Sequence, residues 1–312
     1  MAFETGAGYG EVMRYSAGTW IPVGSVMPSS GYAYNIHLAS GSGGTLYFAY
    51  TWPTFGTNVT RYTSATDWQV VGTAGFDATS SSETGIALAV DTNNVPYVAF
   101  VDTTGKVKVE MFDGESWQPV GSQSLFDTGA RCPSIAVDNG GSIWVAYGDD
   151  GGEGANGGAT VMRYDSQSAS WNMEGPGPGS ASRGYVCSTA IAVDSARHPY
   201  VACYDAGWGG LAAVTTLTKA QWVTLGGGGF SQDTPYSLSL VLSPGGVPYV
   251  AYQDGYAGPA TLMKFTGTRW VLVGGRGFSS GEADYTSLAF DAAGRPFAAF
   301  DTTSGPTVMG WK

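Results

Sequence analysis

Short apolar runs recur along the whole chain, each four to seven residues long and set apart by polar clusters of Gly, Asp, Asn and Pro. Runs of this length, rich in Val, Ala, Tyr and Phe and spaced by ~8–12 residues, predict β-strands joined by tight turns. Four kinds of run alternate in a fixed order. The first reads IHLAS, IALAV, SIAVD, AIAVD, LSLVL and SLAFD. The second follows a turn later as LYFAY, PYVAF, IWVAY, PYVAC, PYVAY and PFAAF. The third has forms such as ATVMRY and ATLMKF. The fourth opens on a tryptophan: Trp20, Trp68, Trp117, Trp171, Trp222 and Trp270, at spacings of 48, 49, 54, 51 and 48. The strings there are WIPVG, WQVVG, WQPVG, WNMEG, WVTLG and WVLVG.

Four antiparallel strands in a unit repeated radially predict a β-propeller. The expectation is an all-β, six-bladed propeller forming a single domain over 1–312, with four antiparallel strands per blade. Its blades fall at approximately 25–72, 73–121, 122–175, 176–226, 227–274 and 275–312, the last closed by 10–24. In that arrangement the N-terminal strand around Trp20 closes the ring and removes an exposed sheet edge. One third-type run is then surplus, because GEVMRY (10–15) and PTVMGW (306–311) both have that form. A spare strand offers a route to self-association by strand addition.

Composition narrows the function classes. Apolar residues make up 43%, charged residues only 12%, and Gly is 48 of 312, which suits a turn-rich β-protein. The net charge is −11 and the 14 Lys and Arg are scattered, which argues against nucleic acid as the partner. No window holds 18 apolar residues, so membrane insertion is not expected. The start, MAFETGAGYG, carries no basic-then-apolar leader. There is no HExxH or phosphate-loop string, and the 25 acidic residues leave a catalytic carboxylate pair open.

Candidate chemistry gathers on the face that carries the loops between second and third strands and between successive units, where the sequence varies most. Trp52, Phe55, Trp208 and Tyr256 lie in Gly/Pro-rich loops, placed either to stack on sugar rings or to cover the strand ends as local core. Arg131 and Arg183 come from neighbouring units, and their planar guanidinium groups suit a clamp on a carboxylate or sulfate. Asp77, Glu83, Asp127, Asp233, Glu282 and Asp284 share those loops. His37 stands in a column otherwise filled by Ala87, Ser134, Ala190, Ser239 and Ser287, so it is expected to face the axial channel. Tyr34, Tyr236 and Tyr285 lie near the same mouth. A histidine beside tyrosine hydroxyls suits general acid–base catalysis, and equally a channel plug bonded to water or serine. His198 falls in a turn on the opposite face.

Asp102, Asp149, Asp205 and Asp254 end second-type strands and read as turn caps. Asp149, Asp150 and Glu153, with Asn156, form an oxygen-rich stretch that suits Ca²⁺ but lacks the spacing of a calcium loop. No other cofactor is expected. The cysteines number three, Cys132, Cys187 and Cys203, which excludes a disulfide framework. Cys132 and Cys187 fall at the same end of adjacent units, where a bond between them stays open. Cys203 replaces Phe100, Tyr147 and Tyr252 in its column and reads as a buried thiol.

The strings WxxVG, GFS, YTSLA, PYVAYxD and VMKF-like runs resemble a repeat of extracellular propeller proteins of bacteria and green algae. The likeness spans nearly the whole chain. It implies the propeller architecture and an extracellular, secreted location, but little about activity, since propellers host many functions. The first and fourth units depart from it: Trp52 replaces the PYVAYxD aspartate, and WNMEG with a Pro/Gly loop replaces WxxVG. The leading expectation is a non-enzymatic module that binds carbohydrate, or another extracellular ligand such as a protein, on the variable loop face. The alternatives are an enzyme at the channel mouth around His37, acting on a polysaccharide or a small molecule, and a structural unit of an extracellular assembly.

Overall fold

The computed structural model describes residues 1–16, 19–52, 56–77, 85–121, 129–149 and 157–312. Its strands form seven antiparallel sheets, each ordered as the chain runs. Blade I holds Ala2–Glu4, Gly10–Ser16 and Thr19–Pro22. Blade II holds Tyr34–Ser40, Leu46–Trp52, Gly56–Thr63 and Asp67–Val70. Blade III holds Ile86–Val90, Pro96–Val101, Val107–Phe112 and Trp117–Pro119. Blade IV holds Ala130–Val137, Ile143–Asp149, Gly158–Asp165 and Ser170–Met173. Blade V holds Thr189–Val193, Pro199–Asp205, Leu211–Thr218 and Gln221–Thr224. Blade VI holds Pro235–Leu242, Pro248–Asp254, Ala260–Phe265 and Trp270–Leu272. Blade VII holds Asp284–Phe290, Pro296–Thr302 and Gly305–Gly310. From blade II to blade VII, the first strand of each sheet packs against the first strand of the next, which makes these strands the inner ring.

The chain is a β-propeller, but with seven blades rather than the expected six. The fourth-type run around Trp20 does not close the last blade. It pairs with the GEVMRY strand through Met13↔Pro22, Arg14↔Ile21, Tyr15↔Trp20 and Ser16↔Thr19. The supposedly surplus GEVMRY strand therefore lies at the centre of a sheet, paired on its other edge with Ala2–Glu4. The physical reason is proximity along the chain: a local hairpin costs far less closure entropy than a pairing across the whole ring. The three-residue strand Ala2–Glu4 is too short to stand out as an apolar run. It packs on the inner strand of blade II, as second strands do elsewhere, so blade I has second, third and fourth strands.

The WxxVG strings encode the contact between blades. Each fourth-strand tryptophan donates its indole N–H to a carbonyl of the preceding blade: Trp68 to Val23 (2.7 Å), Trp117 to Val71 (2.9 Å) and Trp171 to Val120 (2.7 Å). Trp222 does the same to Glu174 (3.1 Å) and Trp270 to Leu225 (3.0 Å). The acceptor is followed in each case by the motif glycine, Gly24, Gly72, Gly121, Gly175 or Gly226, whose φ of +68° to +98° favours glycine. The indole rests on it. A Cβ at Gly175 would come 2.3 Å from Trp222, and one at Gly121 would come 2.9 Å from Tyr164 and 3.1 Å from Trp171. Blade VII has no fourth strand, and Trp311 at the end of its third strand takes the place instead, over Gly274.

The turns joining first and second strands are uniform for a similar reason. Asp91, Asp138, Asp194 and Asp291 each accept backbone N–H groups two and four residues on, so one side chain fixes the turn. Those turns leave little freedom on their face, and the opposite face carries the variation.

Replacing Gly121 by Ala places a side chain at a left-handed φ and against two rings. The expected loss of stability is roughly 2–3 kcal/mol. Urea unfolding, compared at equal m-value with wild type, measures it.

Candidate functional site

A hollow of about 310 Å³ opens over the outer strands of blade V, lined by Ser180, Ala181, Ser182, Arg183, Trp208, Thr215, Trp222 and Thr224. It arises from two departures from the repeat. In three other places the loop leaving a blade carries Gly-Phe-Ser or Gly-Phe-Asp, and its phenylalanine covers the tryptophan of the next blade. Phe76 stacks on Trp117 with centroids 4.1 Å apart, and Phe230 stacks on Trp270 at 4.3 Å. Phe278 meets Trp311 edge-on at 4.8 Å. Between blades IV and V the string is Ser180-Ala181-Ser182. Ser182 keeps the serine's task, its hydroxyl accepting the Ala159 N–H (2.8 Å), as Ser231 does for Ala212 and Ser279 for Ala260. Ala181 thus stands in the phenylalanine's place, and among the described residues no ring stacks on Trp222.

The second departure lies in the strands beneath. Blade IV pairs Met162 with Met173, and blade VI pairs Met263 with Leu272. The same register in blade V pairs Thr215 with Thr224. Blade II places one hydroxyl there, pairing Thr60 with Val70, and blade V has a hydroxyl on both strands. Thr215 Oγ1 donates to the Ala181 carbonyl (2.6 Å), and Ser182 Oγ to that of Gly184 (2.8 Å).

Trp208 and Arg183 form the rim. The short 3₁₀ turn Ala206–Trp208 is capped by Asp205, which accepts the Gly207 N–H (2.8 Å) on one oxygen and the Arg183 N–H (2.8 Å) on the other. One buried carboxylate therefore sets both loops. It holds the Arg183 guanidinium 4.7 Å above the Trp208 ring. The indole is seated on Gly228, where a Cβ would meet it at 2.5 Å, and its buried N–H has no partner among the described residues. An aromatic face, a cation and several hydroxyls around one hollow suit a ligand with an apolar face and many hydroxyl groups.

The remaining candidates are dispersed. Trp52 is half-buried over Gly31 and packs against the Val12, Phe48 and Trp68 core. Phe55, Asp150, Glu153, Asn156, Glu83 and Asp127 lie outside the described residues. Arg131 donates to the Tyr185 hydroxyl (2.5 Å) and lies over that ring at 5.1 Å, whereas Arg183 lies over Trp208. Asp284 lies opposite Asp301 in blade VII, and Tyr256, 88% exposed, meets Tyr236 edge-on at 6.2 Å. Asp149 is buried, and among the described residues no three His, Cys, Asp or Glu side chains are grouped to hold a metal ion. Asp102 and Asp254 cap turns as expected, accepting backbone N–H groups of Thr104 and Lys106, and of Gln232 and Asp233. His198 pairs with Asp194 in its turn (3.0 Å).

His37 sits on the inner strand of blade II opposite Ala49. Tyr34, Tyr236 and Tyr285 are exposed, and none of their hydroxyls is hydrogen-bonded to His37. Its surface is only partly covered, yet it lies deep enough that burial pushes its pKa down to about 4. The imidazole is neutral through the physiological range. A free histidine takes up its proton near 6.5, so between pH 6.5 and 4 the unfolded chain binds a proton that the folded chain does not. Stability from this residue is whole above pH 6.5 and lost as pH falls toward 4. Replacing His37 by Ser, the residue of its column, removes a loss of about 1–2 kcal/mol after allowance for solvent. Urea midpoints of the two proteins at pH 7 and pH 4.5 measure it.

No family model matches the sequence, and no curated protein matches it. Solved structures do resemble the fold. BP39L lectin from Burkholderia pseudomallei superposes with a TM-score of 0.65 at 18% identity, over 90% of this chain and 82% of that one. The SapL1 lectin in complex with alpha methyl fucoside gives 0.62 at 16%, over 90% and 93%. The Aleuria aurantia lectin, described as six-bladed with a novel fucose recognition mode, gives 0.60 at 11%, over 89% and 92%. A Trypanosoma rangeli sialidase in complex with sialic acid gives 0.58 at 12%, over 99% of this chain but only 57% of that one.

Proposed function

We propose that this propeller is a carbohydrate-binding protein whose site is the hollow on blade V. The observation that carries the reading is the uncovered Trp222 face beside the Arg183–Trp208 pair. A sugar ring has an apolar C–H face that stacks on an indole, and equatorial hydroxyls that bond to Thr224, Ser180 and the Arg183 guanidinium. Aromatic contact also gives affinity at little cost in side-chain entropy. The fold's likeness to lectins supports the class of ligand at a coarse level, and the choice of sugar rests on the residues of the hollow. The repeat's resemblance to extracellular propellers supports a location outside the cell, where glycans are abundant.

The test uses the repeat's own residue. Ala181→Phe restores the ring that other blades carry and fills the hollow while keeping the fold. Wild type is expected to bind at least one class of glycan on an array. Ala181→Phe is expected to lose tenfold or more, about 1.4 kcal/mol, with no fall in melting temperature. Arg183→Ala is expected to weaken the same glycans. No binding by wild type, or equal binding by Ala181→Phe, overturns the reading.

A further inference from the structure

Blades IV and V also meet at the channel mouth, away from the hollow, through Cys132 and Cys187. Both thiols are free. Cys132 Sγ donates to the Cys187 carbonyl oxygen at 2.7 Å. Cys132 has a φ of +48° in the bulge that interrupts the blade IV inner strand between Arg131 and Ser134. Blade VII presents the same crossing without thiols: the bulge there begins at Asp284, the counterpart of Cys187, and Ser237 of blade VI is the counterpart of Cys132.

The two backbones are locked together. Thr189 Oγ1 donates to the Cys132 carbonyl (2.7 Å) and to that of Ala146 (3.2 Å), and shares a hydrogen bond with Ser134 Oγ (3.0 Å). Thr286 makes the equivalent pair of contacts to Ser237 and Ala251. The crossing is thus a fixed feature of the ring, and it sets Cys132 against the Cys187 backbone, where burial, and then the nearby Cys187 thiol, raises the Cys132 pKa. A disulfide needs a short Cα separation, and this backbone contact is what favours it. Cys187 is exposed to solvent, whereas Cys203 is fully buried in the blade core.

We infer that Cys132 and Cys187 form an oxidisable pair whose disulfide staples blade IV to blade V at the channel mouth. With oxidised glutathione as the oxidant, the Cys187 thiolate attacks one of its sulfurs and expels one glutathione thiolate. The Cys132 thiolate then attacks the Cys187 sulfur of the mixed disulfide and expels the second. Two protein thiols lose two protons and two electrons, and one oxidised glutathione becomes two reduced ones. Burial holds both thiols above their ordinary range, Arg131 opposing it from alongside, so the reaction is slow at neutral pH and speeds as pH rises. The inference is independent of any ligand in the hollow.

The full-length protein is incubated with oxidised glutathione, and thiols are counted in denaturant with intact mass and a non-reduced peptide map. The expected result is a fall from three thiols to one, a mass lower by two hydrogens, and a peptide joining residues 132 and 187. Cys203→Ser is expected to form the same bond, and Cys132→Ser and Cys187→Ser are not. Three surviving thiols, a lasting glutathione adduct on Cys187 with Cys132 free, or a bond that includes Cys203 overturns the inference.

Discussion

The contact between an indole and a left-handed glycine holds the ring together. Each of five tryptophans bonds to a carbonyl of the blade before it, and each rests where a Cβ has no room. The hydrogen bond contributes about 1 kcal/mol net, and burial of the large ring contributes more. Because the tryptophan belongs to one blade and the glycine to the blade before it, the contact sets the spacing of sheets as well as their adhesion. Trp311 is instructive here. Blade VII lacks a fourth strand, yet an indole reached from its third strand occupies the space over Gly274. The interface demands the ring and tolerates a change in the strand that delivers it.

That demand explains the variation found elsewhere. Once the inner strands, the aspartate-fixed turns and the indole–glycine contact are in place, the loops of the other face are free to differ without cost to the ring. Position 181 is the informative case. In its place Phe76, Phe230 and Phe278 add a second aromatic layer, whereas Ala181 leaves Trp222 bonded to Glu174 but uncovered. Blade III treats the neighbouring register differently. Glu110 stands where blade V has Thr215, and burial, then the nearby Asp77 charge, pushes its carboxyl up to about 7. The same framework position holds apolar filler, a strained carboxyl or a hydroxyl, according to the blade.

Much of this was legible in the sequence, and for a physical reason. A repeated string reports a repeated contact, so WxxVG, the PYVAYxD aspartate and the short turns could all be read as structure. Cys203 in an aromatic column was correctly a buried thiol, and Asp102, Asp205 and Asp254 were correctly caps. The blade count was not legible. Ala2–Glu4 is three residues long and blade I has no inner strand, so nothing in the repeat announced a seventh sheet. Trp208 and Arg183 were visible as loop residues, but the pairing of one with the other depends on Asp205, which bonds to both loops at once. Arg131 looked equivalent to Arg183 and is not, because Tyr185 takes it. Ala181 was hidden for another reason: the Pro/Gly loop after WNMEG breaks the spacing that aligns Ser-Ala-Ser with Gly-Phe-Ser.

A missing ring is harder to notice than an added residue, and it carries more information. Loss of a covering phenylalanine forfeits apolar burial on the order of 1–3 kcal/mol, and two threonines in place of methionine and leucine add a further cost unless their hydroxyls are satisfied. Thr215 is satisfied by the Ala181 carbonyl, while the Ala181 N–H bonds to Ala159 as those of Phe230 and Phe278 bond to Ala212 and Ala260. The change at 181 and the change at 215 therefore meet in one hydrogen bond. Asp205 then draws the Trp208 turn over the same spot. The two departures from the repeat, at Ala181 and at the Thr215–Thr224 pair, and the Trp208 turn converge on one opened space. A single defect in a repeat is drift, whereas here the neighbouring segments support the defect and keep the space open.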